Sequence, residues 1–280
     1  MLIYPEEAPL TEHPTPSKAV TEPGELFFLV VNDIHYRDAR CGPWLESAVG
    51  QMATHPERPE VCLFLGDLAD EGEREQLEAG RRILDKLGLP VYPVIGNHDY
   101  APNDDRTAYE ALFPNRLNYH FEHLGWQFVG IDTTDGTRYE DIAIPTETLR
   151  WLDEVLPRLD PERPTVVFTH FPLGPGVRHR PRNADEILKR LEGRNIVAIF
   201  GGHFHGFTER HVSGMTLTTN SCLSHSRHNH DETIDKGYVL CHAKDGRVHR
   251  IRVTVPTAAE PPSDGRYGDA AANGEDVGRQ

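Results

Sequence analysis

Apolar positions along this chain follow two rhythms. Short β-branched runs recur at residues 26–31, 61–65, 91–95, 128–131, 165–169 and 197–200. Runs that are apolar at nearly every position predict strands covered on both faces. Between several of them the spacing stretches to three and four residues. Trp44, Leu45, Ala48, Val49 and Met52 share one helical face. Leu77, Ile83, Leu84 and Leu87 do the same, as do Leu149, Leu152, Val155, Leu156 and Leu159. Asn183 or Asp185 is placed to cap a helix carrying Ile187, Leu188 and Leu191. Beyond residue 200 the character changes. Residues 215–219, 238–242 and 248–255 predict an antiparallel finish, with Asp245-Gly246 as a hairpin turn. The pattern predicts a layered α/β domain, with two sheets packed between helices.

Composition changes this picture little. A chain of 280 residues, 38% of them hydrophobic, can bury such a core. No apolar run is long enough to cross a bilayer, so a soluble protein with no membrane partner is expected. The first 24 residues lack the basic and then apolar order of a secretory leader, which makes a cytoplasmic location the default. Residues 1–24 and 256–280 read as disordered acidic arms around one domain, 25–255, without internal repeats. The formal charge is −15, of which residues 1–25 supply −4 and residues 256–280 supply −3. That balance argues against a nucleic-acid partner, which needs a basic footprint. It leaves room for an anionic substrate if metal ions bring the positive charge. Cys41, Cys62, Cys222 and Cys241 are scattered and form no C-x-x-C pair, so buried free thiols are expected.

The candidate chemistry sits where strands end. Residues 26–31 run into Asn32-Asp33-Ile34-His35, and residues 61–65 into Gly66-Asp67. Residues 91–95 run into Gly96-Asn97-His98-Asp99, residues 165–169 into His170, and residues 197–200 into Gly201-Gly202-His203-Phe204-His205. In α/β sheets the carboxyl ends of strands line the ligand crevice. Five such ends gather oxygen and imidazole donors, while the glycines let the backbone turn sharply. One ion needs three or four ligands. At least seven converge here, which points to two ions sharing a bridging carboxylate, an arrangement suited to phosphoryl transfer.

The series D-x-H, G-D, G-N-H-[DE], H and G-H-x-H, in that order over residues 33 to 205, resembles the calcineurin-like metallophosphoesterase superfamily. The resemblance implies a four-layer αββα sandwich of two mixed sheets flanked by helices. It implies that Asp33, His35 and His205 bind one metal, Asn97, His170 and His203 a second, and that Asp67 bridges them. His98 would lie near the substrate and stabilise the transition state or protonate the leaving group. The N and O donor set suits Mn, Fe or Zn. Asp99, next to His98, is a candidate for orienting that imidazole. Taken singly, these residues have plainer uses: the aspartates as caps or turn residues, the histidines as core residues, Asn97 as a left-handed turn residue. The ordered set of five segments favours the metal site.

Departures from other branches narrow the activity. Purple acid phosphatases carry a metal-bound Tyr three residues after the G-D aspartate, where this chain has Asp70. Ser/Thr protein phosphatases resemble G-D-x-V-D-R-G and G-N-H-E, against Gly66-Asp67-Leu68-Ala69-Asp70-Glu71-Gly72 and Gly96-Asn97-His98-Asp99 here. The DNA-repair nuclease branch adds domains for which this chain has no room. His170-Phe171-Pro172 and Asn183-Ala184-Asp185 are similar to bacterial class III cyclic-nucleotide phosphodiesterases. The expected reaction is hydrolysis of a small phosphodiester, of cyclic-nucleotide or glycerophosphodiester type, by a metal-held hydroxide attacking in line while His98 assists the leaving alkoxide. Phosphomonoester hydrolysis and a non-catalytic metal-binding scaffold are the rivals, and a homodimer stays open as the assembly. Asp70 reads as a solvated loop residue, with a supporting place behind the metals as the alternative. The donor-rich segment 224–231 offers Arg227 and His228 as substrate contacts, against a polar surface loop. Arg178, His179, Arg180 and Arg182 form a basic cluster with the same two readings.

Overall fold

The structure, a computed structural model, describes residues 23–256. Most of both acidic arms therefore lies outside the described residues. Eleven strands are formed: β1 (Leu26–Val31), β2 (Val61–Phe64), β3 (Val91–Pro93), β4 (Tyr119–His123), β5 (Trp126–Ile131), β6 (Thr165–Thr169), β7 (Ile196–Gly201), β8 (Thr208–Val212), β9 (Met215–Thr219), β10 (Lys236–Lys244) and β11 (Arg247–Val255). The α-helices are α1 (Gly42–Ala53), α2 (Arg74–Leu84), α3 (Thr107–Leu112), α4 (Thr146–Val155) and α5 (Ala184–Leu191).

One sheet has the order β11-β10-β1-β2-β3, the other β4-β5-β6-β7-β9-β8. Both are mixed. β1, β2 and β3 run parallel, as do β5, β6, β7 and β9, with antiparallel strands toward the edges. The doubly apolar strands have the expected cause. In β1, Leu26, Phe28 and Val30 join Phe128, Phe168 and Phe200 between the sheets. Its alternate residues Leu29 and Val31 pack with Leu45, Val49, Leu77 and Leu84 of α1 and α2. On the far side, Leu149, Leu152, Ile187 and Leu191 of α4 and α5 cover the second sheet. These are the four layers αββα.

Three readings change. The antiparallel finish is divided: β10 and β11 close the first sheet as a hairpin, whereas β9 lies parallel to β7 in the second. Asn183 occupies the N-terminal cap position of α5, but its side chain is used elsewhere. It accepts from the Ile144 amide at 2.7 Å and donates to the Ile144 carbonyl at 3.1 Å, leaving the helix without a side-chain cap. Asp185 lies inside the first turn and pairs with Arg180. All four cysteines are buried and unpaired, as expected. Among the described residues no helix is long and apolar enough to cross a membrane.

Candidate metal centre

The parallel strands bring five loops to one rim. β1 delivers Asp33 and His35, β2 Asp67, β3 Asn97 and His98, β6 His170, and β7 His203 and His205. The loops are stitched to one another through the backbone. Asp33 N–H donates to Gly66 O at 3.1 Å, His35 N–H to Asp67 O at 3.0 Å, and Gly202 N–H to His170 O at 2.8 Å. Asp33, His35, Asp67, His203 and His205 all have φ between 44° and 62°. Such left-handed backbone is uncommon outside glycine and costs about 1–3 kcal/mol per residue. Five strained residues at one rim are poorly explained as ordinary core side chains. Space is equally tight: a Cβ on Gly96 would sit 2.1 Å from Asp67 Oδ1.

All seven proposed ligands are buried and fall into two groups. Asp33, His35, Asp67 and His205 bring one donor atom each within 4.8 Å of one another, and so do Asp67, His170 and His203. Asp67 belongs to both. Asn97 joins the second group, its Oδ1 3.1 Å from His170 Nε2. The outer nitrogens of three imidazoles face carbonyls: His170 Nδ1 donates to Leu65 O at 2.7 Å, His203 Nε2 to Tyr139 O at 2.7 Å, and His205 Nδ1 to His228 O at 3.1 Å. With the outer nitrogen committed, each ring is left with its inner nitrogen facing the centre. The inner nitrogens then face each other, His35 to His205 at 3.2 Å and His170 to His203 at 3.2 Å. Burial pushes His35, His170 and His203 below the ordinary imidazole value, whereas against burial Cys222 and Asp33 hold His205 well above it. Asp67 Oδ2 is buried with no hydrogen-bond partner. Burial first, and then the nearby Asp33 carboxylate, push Asp67 up to about 7 against the pull of His98. Electron pairs crowded this closely, around an orphaned carboxylate oxygen, fit two cations with Asp67 between them.

His98 and Asp99 part company. The short helical turn Asn97–Asp99 sends their side chains to different places. His98 is half-buried, and its Nδ1 donates to the backbone carbonyl of Asp70 at 2.7 Å. The Asp99 carboxylate is buried and accepts from four backbone amides instead, those of Asp67, Leu68, Ala69 and Gly96, at 2.7–2.9 Å. It ties the Asp67 loop to the Asn97 loop and does not orient the imidazole.

Asp70 is buried, not solvated. Its carboxylate accepts from Arg37 Nε at 2.7 Å and from Arg227 Nη2 at 2.6 Å, and lies 3.6 Å from His35 Nδ1. Burial opposes its charge, but His35 and Arg227 overcome that and hold the carboxyl well below the usual range. The structure thus places Arg227 beside the centre, 3.4 Å from His98 Nδ1. The His228 side chain is exposed, and its carbonyl is what meets His205. Within the basic cluster, Arg180 pairs with Asp185 and Arg182 with Asp141, away from the centre. His179 is the exception, its ring 5.2 Å from that of His203. Sequence reasoning missed Lys236, which donates to Arg227 O at 2.5 Å and to Cys222 Sγ at 2.9 Å and so anchors the segment that carries Arg227. A lone lysine thirty-one residues beyond His205 gives no local signal.

Comparison with known proteins gives the family. The chain is 27% identical to a probable glycerophosphodiester phosphodiesterase GpdQ of Arcobacter nitrofigilis, over 60% of this chain and 64% of that one. It is 32% identical to the 3',5'-cyclic-nucleotide phosphodiesterase alr5338 of a Nostoc species, over 41% of this chain and 42% of that one. It therefore spans less than two-thirds of either relative. In three dimensions it is similar to the purple acid phosphatase PPD1 of yellow lupin, with a TM-score of 0.63 and 14% identity over 82% of this chain and 52% of that one. The calcineurin-like phosphoesterase profile matches residues 28–207, the stretch that holds all five ligand loops, and the chain belongs to this family of metal-dependent hydrolases.

Proposed function

We propose that the protein hydrolyses a small phosphodiester at a two-metal centre, with Asp33, His35 and His205 on one ion, Asn97, His170 and His203 on the other, and Asp67 bridging. The two buried donor groups sharing Asp67 carry this reading. The relatives' names support a diester, either a glycerophosphodiester or a cyclic nucleotide. Mn, Fe or Zn suits the donors, and such ions supply an activated water and polarise the phosphoryl oxygens. The chain's own groups do the rest. His98, with Nδ1–H donating to the Asp70 carbonyl, presents Nε2 to the site, and in the imidazolium form the Nε2 proton passes to the departing alkoxide, leaving the neutral ring. Arg227, fixed on Asp70, keeps a guanidinium beside His98 where phosphoryl charge gathers. Asp99 keeps the Asp67 and Asn97 loops in register.

The test is turnover by the Mn-loaded protein of bis(p-nitrophenyl) phosphate against p-nitrophenyl phosphate, with Asn97→Ala and His98→Ala as controls. Faster diester turnover, lost in both variants, is the expected result. Turnover of the monoester alone would keep the metal centre and discard the diester. Inertness with both metals bound would favour a scaffold.

A further inference from the structure

The outer nitrogen of His203 depends on a surface loop. Its Nε2 donates to the Tyr139 carbonyl at 2.7 Å. Tyr139 lies in residues 134–141, which form no helix or strand and are exposed from Thr137 to Asp141. The carbonyls behind the other two rings have firmer supports. Leu65 directly follows β2, and His228 follows Arg227, whose carbonyl Lys236 ties down. The Tyr139 loop needs a fastening of its own if a main-chain carbonyl is to stay on a buried ring.

Asp104 supplies it. Its Oδ1 accepts from the Thr137 amide at 2.8 Å and from the Thr137 hydroxyl at 2.9 Å. The amide first, and then the hydroxyl, hold the Asp104 carboxyl below its ordinary value. Asn103 and Asp104 both take left-handed backbone, at φ 65° and 57°, which their short polar side chains tolerate. Gly136, at φ 61°, lets the loop come close: a Cβ there would sit 2.2 Å from Asp104 Oδ1. The far end of the loop is anchored through main chain. Arg182 N–H donates to Ile142 O at 2.9 Å, and Asn183 holds both the amide and the carbonyl of Ile144. Tyr139 is thus clipped on both sides, and the Asp104 clip reaches across from a separate loop.

We propose that Asp104, acting through Thr137, is a positioning residue for His203. It keeps the Tyr139 carbonyl on Nε2 and so leaves Nδ1 as the nitrogen that faces the second ion. A ring whose far nitrogen is held by a carbonyl keeps one tautomer and one orientation. Loss of a partner directly behind a ligand weakens metal about 10–100-fold, and a latch one step further back belongs at the lower end. The effect on metal rests on the two-ion reading of the centre, whereas the effect on the ring does not.

The test takes two readouts from the full chain. Nitrogen-15 NMR of the metal-free chain reads the His203 tautomer, and calorimetric titration with Mn reads the ions. Asp104→Gly removes the carboxylate and accepts the left-handed backbone, while Asp104→Asn keeps an acceptor oxygen. Wild type and Asp104→Asn are expected to carry the His203 proton on Nε2, and Asp104→Gly to show a mixture of tautomers. One of two Mn sites is expected to weaken about tenfold in Asp104→Gly and to recover in Asp104→Asn, with the other site unchanged. An unaltered tautomer in Asp104→Gly overturns the positioning role, and so does an Asp104→Asn chain as impaired as Asp104→Gly. Parallel weakening of both sites, with a lower thermal midpoint of the metal-free chain, overturns it too, because the latch would then serve the fold alone. A shifted tautomer in a chain that takes a single Mn, or whose two Mn affinities do not change, would sink the two-ion ligand assignment and keep the latch.

Discussion

Asp67 and Arg227, both assigned to the proposed centre, are held in different ways. Asp67 is buried at the end of β2, in a left-handed turn whose amide is fixed on Asp99. Arg227 is half-buried on a segment without regular structure, held by Asp70, by the Ser224 hydroxyl that accepts its amide, and by Lys236 on its carbonyl. The proposed ligands thus inherit their positions from the sheets, through turns one to four residues past a strand. The rim inherits its positions from side chains that reach across loops. A sheet-borne ligand should be intolerant of change, and a rim group should be tunable.

Mutations can test that division. The largest effect is expected from Asp67→Ala, which removes a donor from both groups. It should lower kcat/KM at least ~10³-fold, beyond the ~10–100-fold typical of residues behind a ligand, with metal content by elemental analysis falling as well. His98→Ala should cost about a hundredfold in kcat, the lower end of what a positioned proton donor contributes, with both metals retained. Loss of metal in that variant would make His98 a ligand. Asp99→Ala strands four buried amides, each worth about 1–3 kcal/mol. Urea unfolding should show a clear loss of stability, and metal affinity should fall roughly 10–100-fold. Arg227→Ala should raise KM about tenfold, from a lost charge-assisted contact, and leave metal content alone. A fall in kcat with KM unchanged would move Arg227 off the substrate. Arg182→Ala breaks only an exposed pair with Asp141 and should change kcat/KM less than about twofold.

The same division explains what could be read from sequence. Asp33-x-His35, Gly66-Asp67, Gly96-Asn97-His98 and His203-x-His205 are contiguous because a strand end and its turn are contiguous, so the proposed ligands show as motifs. Strands buried on both faces showed as apolar runs. β4, at Tyr-His-Phe-Glu-His, and β8, at Thr-Glu-Arg-His-Val, did not, because edge strands keep polar residues toward solvent. The rim stayed hidden for another reason. Its side chains reach groups distant in sequence, and several of those contacts end on main-chain carbonyls, Tyr139 on His203 and Asp70 on His98, where a carbonyl leaves no mark on residue type. Sequence adjacency misled at Asp99, which neighbours His98 in the chain but faces the other way.

The strand order of the first sheet carries a consequence for synthesis. β1, which delivers Asp33 and His35, pairs on one side with β10, Phe28 opposite Cys241. Until residues 236–244 leave the ribosome, β1 has an open edge, a template for pairing with other chains. The β10–β11 hairpin therefore closes β1 on this side, and Asp33 and His35 reach their final frame only after residues 236–244 are made. Metal capture by the full set of proposed donors should accordingly follow the synthesis of β10.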